Sequence, residues 1–166
     1  MDSSLVEIQH GHTGPRLDDA RSLFAEYARV IEPLAGCSLQ YQKFDAELTS
    51  LPGLYSPPRG CILIALADGQ PAGCIALRPL PALGLGACEM KRMYVRPAFR
   101  GRGIGRMLAA RLLTEAAAAG YSIMKLDTSS TMHEAMGLYR SLGFVECPRY
   151  NDDPMNDTLW FERRLP

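Results

Sequence analysis

From Arg100 to Arg106 the chain reads Arg-Gly-Arg-Gly-Ile-Gly-Arg, with glycines at 101, 103 and 105 and arginines at 100, 102 and 106. Glycines at alternate positions permit a turn whose backbone N–H groups converge. The helical pattern that follows from Met107 puts that turn at the positive end of a helix dipole. Such a turn holds phosphate oxygens, and the missing side chains let the anion come close. Arg100, Arg102 and Arg106 add cationic donors, so a pyrophosphate suits the segment better than a single carboxylate. The same string is compatible with a glycine-rich surface turn whose arginines only keep it solvated. It also approaches the dinucleotide pattern G-x-G-x-x-G, with Asp127 as the acid some twenty residues on. Against that reading, Arg106 occupies the third glycine position and antiparallel hairpins place the turn late in the chain. A P-loop is excluded because no Gly-Lys-Ser/Thr follows.

The elements that must position this turn are read from periodicity and breakers. Leu5 to Gln9 alternates as a half-buried strand, and Gly11 to Pro15 breaks it. Leu17, Ala20, Leu23, Phe24, Tyr27, Ala28 and Ile31 recur at helical spacing until Pro33 and Gly36 stop them. A weaker helix covers roughly Tyr41 to Leu48, and the prolines and glycines of Leu51 to Gly60 read as a loop. Ile62 to Ala67 and Ala72 to Pro79 form a hairpin around Asp68-Gly69-Gln70-Pro71. Ala87 to Val95 is a strand with Glu89, Lys91, Met93 and Val95 on one face and Met90, Arg92 and Tyr94 on the other, unless a bulge shifts the phase. A strong helix from Met107 is closed by Gly120, and a buried strand follows from Ser122 to Asp127. A helix from about His133 to Ser141 stops at Gly143. Strands at Phe144 to Cys147 and Thr158 to Arg164 complete the chain.

The order is β-α-α-β-β-β-α-β-α-β-β: a mixed α/β fold in a single domain spanning residues 1–166, with an antiparallel first half and crossovers that make later strands parallel. The length of 166 residues suffices for one core that buries about 70% of the unfolded surface. Eighteen basic residues balance eighteen acidic ones, which argues against nucleic acid as the main partner and makes any anion site local. The five cysteines (Cys37, Cys61, Cys74, Cys88, Cys147) form no C-x-x-C pair and have no histidine at ligand spacing, so they read as reduced thiols rather than a metal set. The polar start of the chain has no signal-peptide character. The longest apolar run, Cys61 to Ala67, is too short to span a membrane. A cytoplasmic protein is expected.

The chain resembles the GNAT superfamily of acetyl-CoA-dependent N-acetyltransferases. The family segment V-x-P-x-x-R/Q-x-x-G-x-G/A is matched from Val95 through Pro97, Arg100 and Gly103 to Gly105. A second signature, A-x-x-L-Y-x-x-x-G-F, is matched from Ala135 through Leu138, Tyr139 and Gly143 to Phe144. The likeness runs from about Leu5 to Leu165. It implies a central mixed sheet of about seven strands flanked by about four helices. It also implies acetyl-CoA as cosubstrate, no metal, and direct transfer of the acetyl group to the primary amine of a small polar molecule. Backbone amides from Gly101 through Arg102, Gly103, Ile104 and Gly105 to Arg106, beside Arg100, would hold the pyrophosphate. Met93, Tyr94 and Val95 would line the pantetheine, with Met93 and Val95 bonding it.

By the same resemblance Tyr139 would lie near the sulfur as general acid and Glu89 on the acceptor side as general base, directly or through a water. Glu89 reads equally as a strand carboxylate paired with Lys91 or Arg92, Tyr139 as a core aromatic, and His133 as an alternative base or an exposed helix-end residue. Cys88 and Cys147 read as core thiols, since direct transfer needs no acyl-enzyme. Many relatives carry an asparagine before the second signature; Ser129 to Glu134 has none, so that pantetheine contact is unassigned. Acceptor residues are expected among Tyr27, Tyr41, Phe44, Tyr55 and Arg59 and in Tyr150 to Pro154. An idle acetyl-CoA-binding module is the alternative to an enzyme. A homodimer is expected, since a C-terminal strand in an open sheet often pairs across a two-fold.

Overall fold

The computed structural model describes residues 5–35 and 43–166; Cys37 and Tyr41 lie outside the described residues. Strand β1 is Val6–His10, α1 Gly14–Ala35, α2 Phe44–Ser50, β2 Cys61–Ala67, β3 Gln70–Pro79 and β4 Ala87–Val95. They are followed by α3 at Ile104–Ala118, β5 at Ile123–Ser129, α4 at His133–Ser141, β6 at Val145–Glu146 and β7 at Thr158–Arg164. Helix α1 outruns the expected span at both ends. Pro15 sits in its first turn, where the missing N–H has no intrahelical partner to lose, and Pro33 is carried inside its last turn.

The seven strands form one sheet in the order β1-β2-β3-β4-β5-β7-β6. Neighbours are antiparallel except β4 and β5. Crossover α3 makes β5 parallel to β4, and α4 brings β6 back in the same sense with β7 inserted between them. The C-terminal strand is therefore not an edge. Two-residue β6 is, which removes the reason for expecting a dimer through β7.

Helices cover both faces of the sheet. All seven residues of β2 are buried, and they alternate between two cores. Leu63 and Ala65 pack with Ile75, Leu108 and Leu112 under α3. Ile62 and Ile64 pack with Leu23, Phe24 and Phe44 under α1 and α2. A strand apolar on both sides is what a doubly covered sheet requires, and each fully buried Leu or Ile contributes about 1.5–3 kcal/mol.

One irregularity shapes the rest. The β3–β4 register slips between Cys74/Tyr94 and Ala76/Lys91, so two residues of β4 oppose one of β3, and Arg92 takes φ 60°. This bulge shifts the side-chain phase. Met93 and Val95 join the α3 core with Cys88 and Met90, whereas Tyr94 joins the α1 core; simple alternation would have put Met93 and Val95 on the face of Glu89. A bulged strand bends, and β4 pairs with β5 only from Ala87/Ile123 to Glu89/Lys125. Beyond Glu89 the two parallel strands part.

Candidate active site

The parting of β4 and β5 opens two adjoining clefts. The larger, about 650 Å³, is lined by Met93, Tyr94 and Val95 of β4, by the turn from Phe99 into α3, and by His133, Ala135 and Leu138 of α4. The smaller, about 90 Å³, is lined by Lys91, Arg92, Asp127, Asp157, Tyr27 and Tyr139 among others. Met93, Tyr27, Ile31, Met132 and Ala135 line both, so they form the shared wall.

In the larger cleft Gly101 and Gly103 adopt φ 78° and 76°, a left-handed conformation that costs an L side chain roughly 1–2 kcal/mol. A Cβ at either would meet nothing within 4 Å, so backbone conformation rather than crowding demands glycine. Gly105 differs: its backbone is helical, and a Cβ would contact Leu138 Cδ2 at 3.5 Å on the cleft wall. The amides of residues 101 through 106 have no backbone acceptor among the described residues. Those of Gly101, Gly103, Ile104, Gly105 and Arg106 gather at the N-terminus of α3, where the helix dipole favours an anion. Arg100 Nε donates to the Val95 carbonyl (3.0 Å), Arg102 stacks over Phe99, and Arg106 Nη2 donates to Ser141 Oγ of α4 (2.6 Å). Arg100 and Arg106 line the cleft; Arg102 stands outside its wall.

Arg96 N–H donates to Ala72 O of β3. By the alternation of an antiparallel ladder, the peptide groups of Val95 then turn away from β3, toward the gap. Ile104 is buried in the α3 core and also lines the cleft. His133 is exposed on its rim.

Tyr139 is buried and lines the smaller cavity rather than the larger cleft. Its ring meets Phe144 edge-on at 6.0 Å. Burial first, then Tyr27 and Asp127, push its phenol above the ordinary range. Glu89 is fully buried and lines neither cleft. Its Oε1 accepts from Arg78 Nε at 2.8 Å and its Oε2 from the Tyr150 hydroxyl at 2.5 Å, so its partners are Arg78 and Tyr150 rather than the expected Lys91 or Arg92.

Of the other expected acceptor residues, Tyr27 lines both clefts. Tyr55 is core, edge-on to Phe24 with its hydroxyl on Glu47. Phe44 lies under the Arg92 guanidinium. Arg59 is remote, donating to the Ala119 and Leu85 carbonyls and stacked on Tyr121. Asn151 holds Asp127 through Nδ2 (2.6 Å), and Asp153 spends its carboxylate on Met155 N–H and Thr158 Oγ1.

Sequence reading missed Lys91, Arg92 and Asp157 as cavity residues and treated Asp127 only as a dinucleotide mimic. The bulge at Arg92 redirects the strand, and no local pattern announces it. The buried thiols are raised by desolvation, Cys61 and Cys88 to about 12, which leaves them protonated and unreactive. In space, although not in sequence, Cys61 lies near a histidine: ligand atoms of His10, Cys61 and Glu115 fall within 4.8 Å of one another, with Glu115 also paired to Arg111. Among the described residues no helix is long and apolar enough to cross a membrane.

The profile described as "Acetyltransferase (GNAT) family" matches residues 18–144. An uncharacterized N-acetyltransferase of Schizosaccharomyces pombe is 37% identical over 99% of this chain and 98% of its own length. The human N-acetylaspartate synthetase is 33% identical over 70% of this chain and 36% of its own length. Among solved structures, an acetyltransferase from Streptococcus agalactiae superposes with a TM-score of 0.76 at 19% identity, covering 96% of this chain and 98% of that one. The acetyltransferase yncA from Salmonella typhimurium, determined with its cofactor acetyl-CoA, superposes with a TM-score of 0.63 at 18% identity, covering 97% and 94%. With the two signatures, the seven-stranded sheet parted between β4 and β5, and the glycine turn at the N-terminus of α3, the chain belongs to the GNAT family and is an acyltransferase.

Proposed function

We propose that this protein transfers the acetyl group of acetyl-CoA to the primary amine of a small polar molecule by direct attack within a ternary complex. The observation that carries this reading is the left-handed glycine turn at the N-terminus of α3, where the amides of Gly101 and of Gly103 to Arg106 have no backbone acceptor, at the mouth of a cleft that abuts a second, polar cavity. Acetyl-CoA supplies a thioester carbon that an unprotonated amine attacks. The amides hold the diphosphate, and Arg100 and Arg106 exchange their present exposed contacts for phosphate oxygens. The peptide groups of Met93 and Val95 hydrogen-bond the pantetheine, as an added strand would. The acetyl group then lies at the shared wall by Met93, with its carbonyl facing the smaller cavity.

Tyr139 reaches the reacting centre from that cavity. Because burial keeps its phenol protonated, it donates to the sulfur as the C–S bond breaks and leaves coenzyme A as the thiol. The amine loses its proton as the N–C bond forms. Glu89 has both oxygens engaged, whereas Asp127 lines the cavity and has only Oδ2 engaged, by Asn151. We therefore assign proton removal to Asp127 and give Glu89 the task of fixing Arg78 and Tyr150. Glu89 acting through a water is the second reading, and the comparison of Asp127→Asn with Glu89→Gln decides between them.

A cytoplasmic location, where acetyl-CoA and reduced thiols coexist, suits this activity. The human relative's name points to a small amino-acid acceptor in that protein, which agrees with a small cavity here. Stabilisation by saturating acetyl-CoA in a thermal melt, followed by thiol release across an amine panel, tests the proposal. Absence of both would refute it.

A further inference from the structure

The smaller cavity contains a group that the transfer chemistry does not use. Arg92 is 2% exposed. Its Nε and Nη2 bind the Glu47 carboxylate at 2.9 and 3.1 Å, yet its Nη1 is buried without a hydrogen-bond partner. Glu47 is itself fixed by the Tyr55 hydroxyl at 2.9 Å, and the rings of Phe44 and Tyr27 flank the guanidinium at 5.0 and 5.4 Å. These contacts hold the guanidinium on several sides, and the Arg92 backbone lies in the left-handed region at the bulge. Strain of this kind persists where the surroundings enforce it, and it concentrates at functional sites. A buried guanidinium N–H left unmet is rare in a native protein and calls for an acceptor.

The walls of the cavity differ in charge. On the β4 side stand Arg92 and Lys91, the latter 7% exposed. On the side of β5 and the segment before β7 stand Asp127 and Asp157, each with one oxygen engaged, by Asn151 and Ser129 respectively. Asp153 is consumed by its own turn. A ligand that satisfies both walls carries an ammonium and an anion with planar oxygens. An amine with no acid group leaves Nη1 unmet, and a peptide lacks the free carboxylate. We propose that the acceptor is a free amino acid whose carboxylate binds Arg92 Nη1 with Lys91 beside it, while its amine faces Asp127. This rests on the transfer reading above and names its substrate class. A guanidinium fork matches a carboxylate, and a site built around such a contact rejects analogues that lack it.

The test compares each L-amino acid with its α-amide and with the corresponding decarboxylated amine, on the wild-type protein. Coenzyme A release is measured, alongside calorimetric binding to the protein saturated with coenzyme A. The expected result is a kcat/KM for at least one free acid about tenfold or more above its amide and amine, the loss typical of one charge-assisted hydrogen bond, with the same ranking in binding. In Arg92→Lys, with folding checked by its melting temperature, the ratio shrinks toward one while acetyl-CoA affinity is kept. Turnover of amides or simple amines as good as that of acids overturns the proposal and leaves acetyl transfer standing. Selective binding of acids without turnover supports acid recognition and overturns the transfer reading. If no acid is either bound or acetylated, the amino-acid assignment falls.

Discussion

The two clefts meet at Met93 but are built from different materials. The larger presents backbone: amides of a glycine turn and the peptide edge of a bent strand. The smaller presents side chains gathered from α1, β4, β5, α4 and the segment before β7. A backbone site tolerates change in side chains provided φ is permitted, so it suits a group that every member of a family must bind. A side-chain site changes with each residue, so it suits the partner that distinguishes one member from another. On the proposed function, the coenzyme cleft of this chain therefore follows from the family, while the acceptor cavity has to be read from its own residues.

Substitutions that touch one cleft and spare the other would sharpen or break that division. Asp127→Asn should have the largest effect, lowering kcat by about 10²- to 10⁴-fold, the range for loss of a general base, with acetyl-CoA affinity unchanged in calorimetry. Glu89→Gln should cost less in kcat and more in melting temperature, because it weakens the contacts with Arg78 and Tyr150; the reverse order would restore Glu89 as the base. Gly103→Val forces a β-branched residue into φ 76°. It should weaken acetyl-CoA binding by about five- to thirtyfold, as about 1–2 kcal/mol of backbone strain is relieved by moving the turn. Unchanged affinity would mean the amides do not hold the diphosphate. Tyr139→Phe should lower kcat by roughly tenfold or more with little change in coenzyme Kd, as expected for a group that acts only as the thiol leaves. Equal losses in kcat and affinity would return Tyr139 to the core. Arg106→Ala should be smallest, a few-fold in coenzyme affinity and diminishing with added salt, because the residue is exposed.

The same division explains what was legible in the sequence. Gly101, Gly103 and Gly105 lie within five residues, and the turn they make into α3 is a feature of backbone conformation, so type and spacing were enough to locate it. The strands, α3 and α4 were legible for a similar reason, since each carries its own periodicity and its own breaker. Arg92 was not. Its place depends on a bulge whose cause is a register slip against Cys74 and Ala76, far along the chain. Nor could the partners of Glu89 be read, because Arg78 and Tyr150 come from eleven and sixty-one residues away. Tyr55 and Arg59 looked suited to a pocket by type alone, and packing assigned them elsewhere.

The central claim is that the turn from Gly101 to Arg106 binds the coenzyme through its diphosphate. Calorimetric titration with acetyl-CoA and with S-acetylpantetheine, which shares the thioester arm but has no diphosphate, tests it most directly. Acetyl-CoA should bind at least about a hundredfold more tightly, the sum of two or more charge-assisted hydrogen bonds. Equal affinity for the two, or none for acetyl-CoA, would contradict it.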